Sequence, residues 1–263
     1  MIKVFLIMLF FLTSVCSFGS LNDTIWNQTD KQGHKQGYWR VTYDNGKTKY
    51  KGFFKDNKPF GEMKRYYEDG VIKAIQYFKD DKRSNAKLYY QNGVLAGEGN
   101  YIESMKDSIW KYYSYYDKTM KLEEKYNKGV KEGNSKKFYS NGTEAEEISW
   151  HNNQKKGPWN QYFENGKLKL SANYVDDMRD GNFLTFYPNG KTEMKGNFEK
   201  NIMQGDWLYY DEDGNIKTKI IYVNGVAKNS DELQKQENSY FKLIDDNKGK
   251  IPEPDENNIM LNK

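Results

Sequence analysis

Apolar and polar residues alternate along most of this chain, in short runs separated by Asn-Gly or Asp-Gly pairs. Around Asn165-Gly166, Trp159 and Phe163 precede the turn and Leu170 follows it. Alternation is typical of half-buried strands, and Asn-Gly between two such runs favours a two-residue type I′ turn, in which both residues have positive φ. The predicted cross-strand pairs are Glu164 with Lys167, Phe163 with Leu168, Gln161 with Leu170 and Trp159 with Ala172.

The same pattern recurs eight times between residues 37 and 228, in steps of 23 to 25 residues. Such a period marks an array of one supersecondary unit. Tyr116-Asp117 replaces the turn pair in the fourth unit, and the other turns end in Gly46, Gly70, Gly93, Gly142, Gly166, Gly190 and Gly214. The sequence predicts an all-β fold, an elongated, twisted, single-layer antiparallel β-meander of about eight 24-residue hairpin repeats.

The predicted register divides the sheet into an aromatic face and a mostly polar face. On the aromatic face a large ring at the third position of a unit lies opposite a small residue, as in Trp39 with Gly52, Trp159 with Ala172 and Phe183 with Gly196. Where the third position holds the small residue Ser135, the partner is the larger residue Ile148. We interpret these rings as structural, with the tryptophans at Trp39, Trp110, Trp159 and Trp207.

The polar face carries one further row of rings, one in each unit after the first. Rings on a face with little apolar cover are candidates for contact with a partner. We predict that this row, here called the ring row, binds the partner. Its members are Tyr66, Tyr89, Tyr113, Phe138, Tyr162, Phe186 and Tyr210.

The two ends of the chain differ from the array. Residues 1–19 have the layout of a secretory signal peptide, and Thr13 and Val15 fit a lipobox poorly, so we expect cleavage after Gly19 rather than lipidation of Cys16. Residues 20–36 are predicted to be a leader or linker, in which Trp26 is either solvated or docked on the first hairpin. We predict a short capping helix over 229–247 and a flexible tail over 248–263.

Composition argues against a catalytic or nucleic-acid-binding role for this chain. Hydrophobic residues make up 37% and aromatic residues 16%, so rings supply much of the apolar area. The 41 Lys and Arg residues against 37 Asp and Glu are spread evenly, which argues against nucleic-acid binding. The two histidines lie apart and no nucleophile or metal motif occurs. We therefore assign no catalytic, cofactor-binding or metal-binding residue and expect no enzyme activity.

The unit G-x-W-x-x-Y-Y-x-N-G-K, followed by an aromatic and a polar loop, resembles the MORN repeat variant. The chain as a whole resembles exported bacterial proteins of the YwqK-like antitoxin group. The resemblance implies an exported, periplasmic or extracellular scaffold. We expect it to bind a protein or peptide through its aromatic sheet. Alternatives are an envelope glycan or lipid-headgroup binder, or an antitoxin that neutralises a toxin by direct binding. Self-association through sheet edges is a further possibility.

Overall fold

The computed structural model describes residues 24–228 and the single residue Lys242. The predicted signal peptide and tail lie outside the described residues, as does the predicted capping helix apart from Lys242. Within the part that is described, no helix has the length and apolar character needed to cross a membrane.

The described residues form 20 strands, of which 16 are long and four have two residues. They are β1 (Gln28–Thr29), β2 (Lys35–Thr42), β3 (Thr48–Lys55), β4 (Lys58–Tyr66), β5 (Ile72–Phe78), β6 (Arg83–Tyr89), β7 (Leu95–Ile102), β8 (Met105–Tyr113), β9 (Met120–Asn127), β10 (Val130–Lys131), β11 (Gly133–Phe138), β12 (Glu144–His151), β13 (Gln154–Tyr162), β14 (Leu168–Val175), β15 (Met178–Arg179), β16 (Gly181–Phe186), β17 (Thr192–Glu199), β18 (Ile202–Tyr210), β19 (Ile216–Val223) and β20 (Val226–Ala227). Hairpins 1 to 8 are β2–β3, β4–β5, β6–β7, β8–β9, β11–β12, β13–β14, β16–β17 and β18–β19.

Each long strand pairs antiparallel with the long strands before and after it, so the hairpins join into one sheet. The same order continues through hairpins 5 to 8. Between residues 24 and 228 no ladder connects hairpin 1 with hairpin 8, and the sheet is open. The predicted all-β antiparallel meander is confirmed.

The predicted type I′ turns are wrong. In hairpin 6 the N–H of Phe163 donates to the carbonyl of Lys167 at 2.8 Å, and the N–H of Gly166 donates back to the carbonyl of Phe163 at 2.8 Å. Gly166 has a φ of 80°, whereas Asn165 is not among the residues with positive φ. This is a three-residue loop made of a type I turn and a glycine bulge. Pro188 occupies the first central position of the same turn in hairpin 7, where its fixed φ suits type I.

The predicted cross-strand pairs form away from the turns but not next to them. Tyr162 pairs with Leu168, so the expected pairs of Phe163 with Leu168 and of Glu164 with Lys167 do not form. A register shift after Gln161 compensates for the longer loop, because a bulge adds one residue to the second strand. The pairs Gln161–Leu170 and Trp159–Ala172 therefore form as predicted.

The buried face is built by rings that interlock between neighbouring hairpins. The pairs Trp39–Gly52, Phe183–Gly196 and Ser135–Ile148 form as predicted. A Cβ added to Gly196 would lie 2.1 Å from Cδ2 of Trp207, in the next hairpin. The glycine thus makes room for the ring of the following unit, which is fully buried. We call this buried side of the sheet the inner face and the opposite side the outer face.

Tyrosine hydroxyls tie five of the turns to the following hairpin. The tyrosine that opens the turn donates its hydroxyl to a backbone carbonyl of the following hairpin, at 2.7 to 2.9 Å. The donors are Tyr43, Tyr67, Tyr90, Tyr139 and Tyr187. Hairpin 8, the last of the array, has Asp211 at this position, and its carboxylate closes its own turn by accepting from the N–H of Asn215 at 2.8 Å.

Candidate functional site

All seven members of the ring row are half-buried. Each lies at the end of the first strand of its hairpin, and the carbonyl of Tyr66, Tyr89, Tyr113, Tyr162 or Tyr210 accepts the tyrosine bond from the preceding turn. Phe138 and Phe186 occupy the same place in hairpins 5 and 7. The row thus places one half-buried ring in each of hairpins 2 to 8, and the backbone at five of these positions accepts a hydrogen bond from the preceding turn.

Tyr113 is the most strongly anchored ring of this row. Its hydroxyl donates to a carboxylate oxygen of Glu98 at 2.7 Å. Partial burial and this bond to an anion raise the pKa of Tyr113 to about 12. The hydroxyl therefore stays protonated at neutral pH and acts as a donor within the sheet.

The most exposed rings of the N-terminal strands lie elsewhere on the outer face. Tyr38 is 51% exposed, Phe60 is 55% exposed and Tyr77 is 56% exposed. Tyr38 contacts Phe53 edge-on, with ring centroids 5.3 Å apart, and Phe53 in turn lies 6.4 Å from Phe60. Trp26 joins this cluster at 5.9 Å from Tyr38, so it is docked on hairpin 1, one of the two alternatives that the sequence left open.

Sequence analysis missed these rings, although a signal for them exists. Phe53-Phe54 and Tyr77-Phe78 are consecutive aromatics in strands, and consecutive strand residues point to opposite faces. The second member of each pair, Phe54 or Phe78, is the less exposed one and belongs to the inner face, so the first member points outwards.

A basic row runs beside the exposed rings. Cross-strand pairs connect Arg40 with Lys51, Lys51 with Lys64, Lys64 with Ile75 and Ile75 with Lys87. Four of these five positions are cationic and none is acidic. Farther along, the same line continues with alternating signs, at Glu98, Lys111, Glu123, Lys136 and Glu147. Hairpins 1 to 3 therefore carry an excess of positive charge on this face.

A groove of about 540 Å³ follows the basic row on the outer face of hairpins 2 to 4. Tyr77 and Ile109 line it, and Ile109 is 47% exposed. The small side chains of Asn85 and Asn100, paired across β6 and β7, leave the space between these apolar walls. The groove is large enough for a side chain of a partner.

Asp30, His34 and Asp56 also come together near the start of the array, with ligand atoms within 4.8 Å of one another. Sequence analysis did not group them. Their oxygen atoms already have partners, because Asp30 accepts from the N–H groups of Gln32 and His34 and Asp56 accepts from Gln36. Hydrogen bonds within the β1–β2 loop, and from Gln36 to the β3–β4 turn, account for the arrangement.

A family model described as MORN repeat variant matches five stretches of the chain. They are residues 61–80, 85–103, 155–176, 179–200 and 203–224. Each stretch coincides with one hairpin of the sheet. These hairpins are MORN repeat variants.

The matched MORN stretches leave out hairpin 1, which precedes residue 61, and residues 104–154, which contain hairpins 4 and 5. No curated protein matches the chain in sequence. The grouping with YwqK-like antitoxins stays a prediction, whereas the MORN array itself defines the chain as a repeat scaffold.

Proposed function

We propose that this chain is a non-enzymatic scaffold that binds a protein partner on the outer face of hairpins 1 to 4. The partner segment carries acidic and aromatic side chains. The observation that supports this function is the adjacency of three exposed rings, Tyr38, Phe60 and Tyr77, to the basic row from Arg40 to Lys87. The predicted ring row extends the same face towards the turns.

The proposed surface combines two sources of binding free energy. Exposed rings bury a large apolar area when a partner covers them, and aromatic residues are enriched among the strongest contacts of interfaces. The basic row steers an acidic segment towards the sheet and sets its orientation. An extended peptide would place alternate side chains on the cluster and in the groove.

Fluorescence anisotropy of labelled peptides tests the proposal. We expect an extended peptide with Asp or Glu and Phe or Tyr at positions i and i+2, on the same side of its backbone, to bind the full chain. Added salt should weaken binding by screening the basic row. A peptide with Lys in place of Asp and Glu should not bind. Equal binding of both peptides would contradict the proposal.

The variant for this test changes Tyr38, Phe60 and Tyr77 to Ser. Its matched control changes Tyr162, Phe186 and Tyr210 of the ring row to Ser in the C-terminal hairpins. We expect the first variant to lose binding at least about tenfold, or about 1.4 kcal/mol, and the control to retain it. Loss only in the control would move the site to the ring row.

Two other classes of ligand, anionic lipid and glycan, are tested alongside the peptides. Binding to vesicles of anionic lipid, or to a glycan array, without peptide binding would replace the proposal by one of the alternative functions. Export from residues 1–19, the antitoxin role and self-association through sheet edges stay predictions that this assay does not address.

A further inference from the structure

Buried apolar residues of the inner face form two clusters, which are separated at hairpin 5. One cluster ends at Tyr126 in hairpin 4, and the other begins at Ile148 in the second strand of hairpin 5. A cavity of about 360 Å³ lies between them, lined by Ser135, where both neighbouring units carry a tryptophan, and by the buried Glu124. The second cluster, here called the C-terminal core, extends to Tyr222 in hairpin 8.

The C-terminal core is buried up to the last long strand. Trp207 is 0% exposed, and Ile220, its partner across β18 and β19, is 1% exposed. Gly196 holds the position of Ile220 in hairpin 7 and is covered by Trp207 of the following hairpin. No hairpin follows hairpin 8 among residues 24–228. The array therefore supplies no ring to cover Ile220, although this side chain is buried.

The two ends of the array differ in how well they cover their rings. In hairpin 1, Trp39 and Tyr50 are only half-buried. Trp110 in hairpin 4 is fully buried, with hairpins on both sides. Trp207 has the burial of a ring in the middle of the array although it lies in the last hairpin. A further group therefore lies over the inner face of hairpin 8.

The short strand β20 does not account for this cover. It pairs with Tyr222 and Val223, and Ala227 is its residue in contact with the C-terminal core. A ninth unit would carry its ring at position 231, where the sequence has Asp231. A carboxylate is poorly suited to cover an apolar core. The described array ends at Lys228, next to this core, so the nearest candidate for the cover is the segment 229–247, here called the C-terminal segment.

The sequence of the C-terminal segment suits this position. Leu233, Tyr240, Phe241 and Ile244 recur at helical spacing and would form one apolar stripe. Lys242 is the described residue of the segment, and it has a helical backbone and an exposed side chain. With 3.6 residues per turn, Lys242 lies on the side of the helix opposite the stripe. Its exposure is therefore the one expected when the stripe faces the sheet.

We propose that the C-terminal segment binds in cis, as an amphipathic helix, to the inner face of hairpins 7 and 8. Its apolar stripe covers Trp207 and Ile220 in place of a ninth hairpin, as an amphipathic helix fills an apolar groove. The stripe spans 12 residues, or about 18 Å of helix, which matches four strands spaced about 4.8 Å apart. A partner reaches these rings only by displacing the segment, whereas the outer face stays accessible. The docking is independent of the proposed protein-binding surface.

Photocrosslinking in the full chain tests where the segment lies. p-Benzoylphenylalanine replaces Phe241 in one variant and Lys242 in the control, and the crosslinked peptides are identified by mass spectrometry. We expect position 241 to crosslink within its own chain to residues 181–223, and position 242 to give no crosslink to these strands. Crosslinks to hairpins 1 to 4, crosslinks only between isotope-labelled and unlabelled copies, or equal yields at the two positions would overturn the proposal.

Two double variants of the full chain test the same contact without a probe. Phe241→Ser with Ile244→Ser disrupts the apolar stripe, and Lys235→Ser with Lys242→Ser changes the opposite side of the helix. We expect amide hydrogen exchange in β19 to be at least about tenfold faster in the first variant and unchanged in the second. Amides of hairpins 2 to 4 are the internal reference, and if they also exchange faster the first variant is unfolded and the crosslinks decide. Equal exchange of β19 in the two variants would refute the docking.

Discussion

Gly196→Ala tests whether rings interlock between neighbouring hairpins. The added Cβ would lie 2.1 Å from Trp207 Cδ2 and 2.3 Å from Cε2. Carbon atoms in contact are normally separated by about 3.5 Å or more, so the ring or the strand must move by more than about 1 Å. Trp207 is 0% exposed, and its surroundings leave no open side to which it could move without loss of packing.

Two opposing terms set the size of this effect. Overpacking a well-packed site costs about 1–3 kcal/mol, and the reduced freedom of the unfolded chain returns about 0.4–1 kcal/mol when Gly becomes Ala. We expect a net loss of about 1–2 kcal/mol of unfolding free energy. Urea unfolding followed by far-ultraviolet circular dichroism measures it.

Gly52→Ala is the matched control. Its new Cβ would lie 3.1 Å from Cγ, 3.2 Å from Cβ and 3.3 Å from Cα of Met63, so a shift of only a few tenths of an ångström is needed to relieve the contact. We expect a change within about 0.5 kcal/mol. A second control combines Gly196→Ala with Trp207→Leu, which removes the obstructing ring. If Gly196→Ala costs the same with and without Trp207, the clash is not the cause and the interlock is refuted.

Three further predictions concern the turns and the inner face. Glu164→Pro should be neutral or stabilise the protein by up to about 1 kcal/mol in thermal unfolding, because it sits where Pro188 fits a type I turn; a loss above about 1 kcal/mol would support the type I′ turn instead. Phe163→Tyr should stabilise the protein by about 1 kcal/mol by supplying the missing hydroxyl bond to hairpin 7, and an unchanged urea midpoint would show that this bond does not form. Burial raises the pKa of Glu146, but the Lys137 ammonium and donated hydrogen bonds outweigh it and hold the pKa below the ordinary 4.5. Glu146→Gln should therefore lower stability above about pH 4.5 and approach the wild type as pH falls through the folded pKa, whereas a deficit that is constant with pH would contradict the ionic contribution.

The period and the alternation were enough to predict the hairpins and the main register. These features depend on local geometry, because side-chain direction in a strand follows from position alone. The pair Ser135–Ile148 was predictable for the same reason.

The turn type was not predictable from Asn165-Gly166 alone. Asn at the second central position of a type I turn also closes a local bond, here from the N–H of Lys167 to its side chain at 3.0 Å. The same dipeptide therefore fits two loops of different length. Pro188 in hairpin 7 was the residue that could have distinguished them.

The candidate sites depend on contacts between repeats, which a single repeat does not reveal. Trp207 fills the space above Gly196 although the two residues are 11 positions apart and belong to different hairpins. The cavity on the inner face at hairpin 5 likewise depends on two different hairpins, because Ser135 and Glu124 both differ from the residues at the same positions of other repeats. Exposed rings such as Tyr77 were not predicted, because only one residue of each consecutive aromatic pair entered the assignment of the two faces.

The central claim is that the outer face of hairpins 1 to 4 binds an acidic, aromatic peptide. Its most direct test is a titration of the isotope-labelled protein with that peptide, followed by amide chemical shifts in two-dimensional spectra. We expect the largest shifts at Tyr38, Phe60, Tyr77 and Ile109 and along the basic row. Shifts confined to hairpins 6 to 8, or no shifts at saturating peptide, would contradict it.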